Sequence, residues 1–323
     1  MAVKLLIFLI LLGIVTYVLL KSVPNLTSIG QQPEIRQEKL KPTFTPPMLE
    51  YPNLRWNRMP LSVFIDSKTA NKPSYTADVK LALDMWKDAT KNLIAFTLVN
   101  DKTNADITVT WVETLKSDSL DAAGNTDSKF YNQTKFKILT RADIQLLNNF
   151  GTKELTDFDM VNLALHEIGH ALGLNHSNAD DSIMNPILKT PSKEIKTITK
   201  PEINLLLEAY KTPPKPDLHI SNATATKIID KRIFRENYYI DALISIENIG
   251  LVDSTNTTLQ IKADGKVVRE DNIGGIPIGS ILTRTYINLL ASSNFTAVEV
   301  IVDPENAIDE LDKSNNDLVL KIG

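Results

Sequence analysis

The chain contains no cysteine among its 323 residues. Disulfide bonds and thiolate metal sites are therefore excluded, although this absence does not fix the cellular compartment. The net charge is only −4, from 35 basic and 39 acidic residues, and it gives no support for nucleic-acid binding. Histidine is also scarce, and three of the 4 histidines lie together in one short segment. That segment carries most of the functional information.

The clustered histidines follow the pattern H-E-x-x-H-x-x-G-x-x-H, with His166, His170 and His176 at its three histidine positions. Apolar residues at helical spacing predict a helix over 156–172. His166 and His170 would then project from one face, one turn apart. Gly173 can adopt the left-handed conformation that ends a helix, which allows the chain to bring His176 back. Three histidine ligands leave a fourth position open, as in catalytic zinc sites.

Glu167 directly follows the first predicted ligand, so it points towards the metal without binding it. A zinc ion lowers the pKa of its bound water molecule to ~7. We predict that Glu167 is the general base that takes the proton of this water molecule. Met184 follows in a tight turn at 182–186, where we predict an apolar floor beneath the histidine rings. H-E-x-x-H alone also occurs in helices that bind no metal, but Gly173, His176 and Met184 favour zinc.

Residues 166–186 resemble the metzincin zinc endopeptidases, and within them the matrixin (matrix metalloproteinase-like) branch. A looser resemblance covers 53–211. It implies an α+β domain with a mixed twisted sheet and three helices. It also implies that His166, His170 and His176 bind one zinc ion. By the same resemblance, Glu167 is the catalytic base and the turn with Met184 lies below the histidines.

The resemblance further implies that a polypeptide substrate lies as an extended strand along the sheet edge at 121–126. Its P1′ side chain would enter a pocket walled by the active-site helix and by 187–200. The chain departs from matrixins because it lacks the cysteine of their latency device and the histidines of their second zinc site. The segment 22–52 is too short and proline-rich for a folded propeptide, so we expect a non-latent enzyme with a single zinc.

Composition divides the chain into five parts. Leu5–Leu20 carries no charge, which predicts a transmembrane signal anchor; a cleaved signal peptide is the alternative. Proline-rich segments predict a stalk and a hinge. We predict the anchor at 1–21, the stalk at 22–52 and the zinc domain at 53–211. The hinge follows at 212–216, and a C-terminal domain at 217–323.

Beyond the hinge, the spacing of apolar residues changes from a helical period to the alternation of β-strands. About seven short strands in this region predict an immunoglobulin-like β-sandwich. The turn at 248–250 and the segment 302–316 resemble the CARDB family. This resemblance indicates the fold and says almost nothing about which ligand the domain binds. Several acidic residues in that segment could bind calcium through their carboxylate oxygens. The alternative is that their side chains cap the backbone of a solvent-exposed turn. These acidic residues are Asp303, Glu305, Asp309, Glu310 and Asp312.

Taken together, the sequence predicts a zinc endopeptidase that cleaves extracellular or cell-envelope polypeptides. It would be attached to the membrane by its N-terminal helix with the catalytic domain outside, or secreted. Two alternatives stay open at this point. One is an adhesion or scaffold protein that acts through its β-sandwich, and the other is a zinc amidase acting on a cell-wall substrate. The physiological substrate, the P1′ preference and the oligomeric state are not predicted.

Overall fold

The computed structural model describes residues 26–31, 45–115, 123–132, 135–187, 190–232 and 235–322. The chain forms two compact units. Leu26–Asn132 and Phe136–Pro213 form the N-terminal unit, and Pro214–Gly323 forms the body of the C-terminal unit. The predicted membrane anchor at 1–21 lies outside the described residues. Within the residues that are described, no helix is long and apolar enough to cross a membrane.

The N-terminal unit is built on a twisted mixed sheet with the order β1-β6-β7-β5-β3-β4, in which β2 also pairs with β7. Strands β1 and β6 run antiparallel to their neighbours, and the other pairs are parallel. A short hairpin, β8 (Asn149–Phe150) and β9 (Lys153–Glu154), follows the sheet. The sheet strands are β1 (Leu26–Gln31), β2 (Leu54–Arg55), β3 (Leu61–Ile65), β4 (Phe96–Leu98), β5 (Ile107–Val112), β6 (Gly124–Asn132) and β7 (Lys137–Leu147).

Three helices complete the described part of this unit: α1 (Pro73–Ala89), α2 (Asp157–Ala171) and α3 (Lys200–Tyr210). Thr156 caps α2 in a capping box, so the predicted helix start is confirmed. Helix α1 packs against α2, and the indole of its Trp86 donates a hydrogen bond of 3.0 Å to the Leu165 carbonyl. Almost every residue of α2 is buried, so this helix forms the rigid centre of the domain.

Two parts of the predicted stalk are ordered in the N-terminal unit. Strand β1 pairs antiparallel with β6, from Leu26 opposite Tyr131 to Gln31 opposite Thr126. Residues 45–50 run beside the loop that follows α2. Strand β1 pairs with residues 126–131 of β6, so Thr126 is the one residue of the predicted substrate edge at 121–126 that lies opposite β1. Backbone pairing of this kind requires no apolar pattern, so composition did not reveal it.

The C-terminal unit is a two-sheet β-sandwich. One sheet has the order β10-β11-β14 and the other the order β13-β12-β15-β16. Apolar residues from both sheets form a single core, which confirms the predicted immunoglobulin-like sandwich. Asp264 and Gly265, with φ of 41° and 79°, form the predicted hairpin turn. The strands are β10 (Leu218–Arg232), β11 (Arg235–Asn248), β12 (Thr257–Ala263), β13 (Lys266–Gly274), β14 (Ile281–Ala291), β15 (Ala297–Val302) and β16 (Asp317–Lys321).

Candidate metal centre

The three clustered histidines meet at one point. His166 and His170 project from α2 and are only 3% and 4% exposed. Gly173 has a φ of 98°, and the reversal after it brings the ring of His176 back to the helix. The Nε2 atom of His166 lies 3.1 Å from Nε2 of His170 and 3.3 Å from Nε2 of His176. Within the described part of the chain, these histidines are the one group of metal-binding side chains that converges in this way.

Backbone carbonyls orient two of the rings. Nδ1 of His166 lies 2.8 Å from the Ile183 oxygen, and Nδ1 of His170 lies 2.8 Å from the Leu174 oxygen. A carbonyl oxygen only accepts, so each Nδ1 donates and each Nε2 keeps its lone pair. Burial lowers the pKa of His166 to about 3, with a further lowering from the neighbouring His176. Burial also lowers the pKa of His170. Both rings are therefore neutral at pH 7, as metal binding requires.

This donor set fits a catalytic zinc ion. Zinc prefers nitrogen ligands in tetrahedral sites, and three histidines leave one position open. Oε1 of Glu167 is buried and has no hydrogen-bond partner among the described residues. A buried carboxylate oxygen without a partner is costly unless another group completes the site. The unsatisfied oxygen therefore belongs with a site made for a bound metal and its water, rather than with a purely structural histidine cluster.

Strand β6 holds the Glu167 side chain from the other side. Oγ1 of Thr126 donates a hydrogen bond of 2.6 Å to Glu167 Oε2, and both residues are buried. Gly124 lies on the same face of β6, and a Cβ atom there would lie 2.5 Å from Glu167 Oε1. Burial raises the pKa of Glu167 to about 8, against a lowering effect of the Thr126 hydrogen bond. The sequence analysis placed this strand beside the site, but it did not identify Gly124 or Thr126 as contacts of the carboxylate.

Met184 lies against α2 where the sequence predicted an apolar floor. It is fully buried, and a Cβ atom on Gly169 would overlap its sulfur. Gly169 thus gives the methionine access to the helix surface between the two histidines. The turn is held by Glu202 at the start of α3, whose Oε1 accepts hydrogen bonds from Ser182 Oγ and Met184 N. The Thr199-x-x-Glu202 capping-box spacing in the sequence could have indicated this residue.

The segment predicted to wall a P1′ pocket is anchored to α2. Asp159 Oδ1 accepts from Ser192 N, and Asn162 Oδ1 accepts from Lys196 N, each at 2.7 Å. A cavity of about 80 Å³ lies beside this segment. Its lining contains charged, amide and aliphatic side chains, namely Asp180, Asn185, Ile187 and Lys196.

Three of the five acidic residues considered for calcium binding accept hydrogen bonds from within the C-terminal unit. The carboxylate of Asp303 accepts hydrogen bonds from Ala307 N and Ile308 N. Glu310 accepts from Leu218 N and from the Asn316 amide, and Asp312 accepts from Ser314 N. These bonds support the self-capped turn that was the alternative to calcium binding.

Comparison with known families agrees with this architecture. A family model of matrixins matches residues 55–211, which include the histidine cluster. A CARDB family model matches residues 215–319. The chain carries a matrixin-like domain followed by a CARDB domain.

Curated relatives are similar to part of this chain. Matrix metalloproteinase-25 of Mus musculus is 32% identical over 38% of this chain and 20% of its own length. Metalloendoproteinase 1-MMP of Arabidopsis thaliana is 28% identical over 54% of this chain and 48% of its own length. Karilysin of Tannerella forsythia is 26% identical over 41% of this chain and 29% of its own length. The chain thus spans less than half of each relative. These matches support a metalloendopeptidase.

One solved structure is reported to be similar to about a third of this chain. It is the crystal structure of a CARDB domain from Pyrococcus furiosus in complex with di-metal ions. The sequence identity is 16% and the TM-score is 0.26, over 34% of this chain and 90% of that chain.

Proposed function

We propose that this protein is a zinc-dependent endopeptidase that hydrolyses peptide bonds of extracellular or cell-envelope polypeptides. The observation that carries the proposal is the convergence of three imidazole Nε2 atoms next to a buried carboxylate with one unsatisfied oxygen. His166, His170 and His176 would hold the zinc ion. When bound, zinc supplies a Lewis acid that polarises the scissile carbonyl and acidifies water.

Glu167 is the general base of this proposal. It takes a proton from the attacking water and then delivers it to the leaving amine nitrogen, which must be protonated before it departs. Burial raises its pKa to about 8 in the absence of metal, and a bound zinc ion would lower that pKa and favour the ionised base. Thr126 fixes Oε2 of the carboxylate, so Oε1 is the oxygen that faces the reaction.

The position of β1 supports an extended substrate. β1 adds to β6 as an antiparallel strand, and its Gln31 end lies opposite Thr126, which contacts the catalytic carboxylate. A substrate strand that added to β6 in the same direction would place its backbone next to Glu167. A substrate strand that continued along residues 126–131 would have to displace β1, so we expect such a substrate to compete with β1 for this part of the edge.

We also propose that the N-terminal apolar segment attaches the protein to a membrane with both units outside. The basis is the uncharged run Leu5–Leu20 together with the matrixin and CARDB matches, which suit an extracellular or cell-surface protein. Protease treatment of intact cells should remove both units from a membrane-bound protein. Protection of both units in intact cells would reject this orientation.

Cleavage of a mixed peptide library by the purified full chain tests the enzymatic proposal. The reaction is run with zinc, with a chelator, and with Glu167→Ala, while the zinc content of each sample is measured. We expect cleavage that the chelator abolishes and that Glu167→Ala reduces by about 10²–10⁴ or more while about one zinc is retained. A zinc-loaded chain that cleaves no peptide would contradict the proposal and favour a zinc amidase or a binding role.

A further inference from the structure

Residues 45–50, termed the strap here, lie antiparallel to residues 173–178, the loop that carries His176. Hydrogen bonds join the two segments along their length. From donor to acceptor they run Glu50 N to Gly173 O at 2.8 Å, Asn175 N to Met48 O at 2.8 Å, Ser177 Oγ to Thr45 O at 2.9 Å, Asn178 N to Thr45 O at 3.3 Å, and Thr45 N to Asn178 Oδ1 at 2.6 Å.

The strap fixes the carbonyl group that orients His170. Leu174 forms a β-bridge with Leu49, near the C-terminal end of the strap. The carbonyl of Leu174 accepts the hydrogen bond from His170 Nδ1 at 2.8 Å. The residues on either side of Leu174, Gly173 and Asn175, are both bonded to the strap. The strap therefore holds this carbonyl in the direction that keeps the ring in place.

The strap also holds the backbone on both sides of His176. Asn175 and Ser177 are both bonded to it. Ser177 continues the connection inwards, because its N–H donates a hydrogen bond of 3.0 Å to the carbonyl of Met184. His166 and His170 are fixed by a buried helix, whereas His176 lies on a loop and is partly exposed. A ligand on a loop depends more strongly on such backbone contacts for its position.

We infer that the strap is a positioning element for the metal centre, which sets the geometry of His170 and His176. It precedes residues 55–211, the range that the matrixin model matches. The inference rests on the proposed zinc site. Groups that orient metal ligands typically contribute 10–100-fold to metal affinity, so loss of the strap contact should weaken zinc binding by about that factor.

The test compares Glu50→Pro with Glu50→Ala in the full chain. Both variants remove the side chain, but only proline removes the N–H group that bonds to Gly173. The preceding Leu49 lies in an extended bridge, a conformation that proline tolerates in its neighbour. Zinc affinity is measured by competition with a chelator, and the absorption spectrum of the cobalt-substituted protein reports ligand geometry. Ser177→Ala, which removes a strap bond from the loop side, is the second variant.

We expect Glu50→Pro to weaken zinc binding about 10–100-fold relative to Glu50→Ala and to change the cobalt spectrum. Ser177→Ala should also weaken zinc binding and change the cobalt spectrum. Thr108→Val is the stability control, because it removes a 2.6 Å bond from the buried Thr108 hydroxyl to Asp143 on the neighbouring strand and touches none of the histidines. It should lower the melting temperature and leave the zinc affinity unchanged.

Equal zinc affinity and equal cobalt spectra for Glu50→Pro and Glu50→Ala would overturn the inference while the zinc site stands. An equal loss of affinity in Thr108→Val would also overturn it, because general destabilisation would then explain the effect. If Glu50→Pro fails to fold, Ser177→Ala is the deciding variant. Wild-type zinc affinity in Ser177→Ala would then reject the positioning role of the strap. A wild-type chain that binds no zinc removes the proposed function and the inference together.

Discussion

The hydrogen bond between Thr126 and Glu167 gives a prediction that can be worked from the structure. Thr126→Val keeps the shape of the side chain and removes the hydroxyl that donates to Glu167 Oε2 at 2.6 Å. The two residues are 1% and 0% exposed, so water does not replace the lost donor. A hydrogen bond to a charged group contributes about 1.5–3 kcal/mol. Because ~1.4 kcal/mol corresponds to a factor of ten in rate, kcat/KM should fall about 10–100-fold.

The same substitution should change the pH profile of peptide cleavage. The Thr126 hydrogen bond lowers the pKa of Glu167, in opposition to burial. Its removal raises that pKa, so less of the base is ionised at a given pH and the acid limb of kcat/KM moves to higher pH. Bound zinc lowers the pKa of Glu167 in every variant, so the predicted quantity is the difference between variants.

The assay is steady-state cleavage of one fluorogenic peptide across pH, with zinc content and melting temperature measured in parallel. Thr126→Ser is the matched control, because it keeps the hydroxyl and should restore most of the rate and the wild-type acid limb. Zinc content should be the same in all three proteins. A Thr126→Val enzyme with kcat/KM within about twofold of wild type and an unmoved acid limb would refute the reasoning.

Further predictions concern the sheet edge, the base, the Met184 turn and a buried acid. Proline at Ser28 or Ile29 should raise kcat/KM for peptides long enough to pair with residues 126–131, because one of these adjacent N–H groups faces β6 and its loss releases β1 from that part of the edge. Gly124→Ala should abolish cleavage with zinc retained, since its Cβ would occupy the space of the catalytic carboxylate. Glu202→Gln should lower stability by about 2–4 kcal/mol in chemical denaturation, because an acceptor of four hydrogen bonds gains an amide donor. Burial raises the pKa of Asp78 to about 6 from 3.8. The folded state loses stability as pH rises from ~4 to ~6, so Asp78→Asn should gain about 1–2 kcal/mol at pH 7.5 and nothing at pH 4.

The histidine site was predictable because its residues are close in the sequence. Helical spacing places His166 and His170 on one face, and Gly173 has the positive φ that the turn requires. The capping residue Thr156 and the alternating pattern of the C-terminal sandwich were equally local signals. Each of these predictions depends on residues within a few positions of one another.

The contacts missed by the sequence analysis are long-range. Thr126 and Glu167 are 41 residues apart, and Ser177 and Thr45 are 132 residues apart. No periodicity links such pairs. The strap and β1 lie in a proline-rich polar segment, where composition predicted an extended stalk. Their pairing uses backbone groups that every residue except proline carries in full, so side-chain patterns gave no signal for it.

The central claim is that three histidines of this chain hold one zinc ion and leave a coordination position open for chemistry. X-ray absorption spectroscopy at the zinc edge of the purified, zinc-loaded full chain tests it most directly. The account predicts one zinc per chain with three imidazole nitrogens at ~2.0–2.1 Å and one further light atom from solvent, and loss of one imidazole in His176→Ala. A zinc ion with four protein ligands, or an unchanged spectrum in His176→Ala, would contradict it.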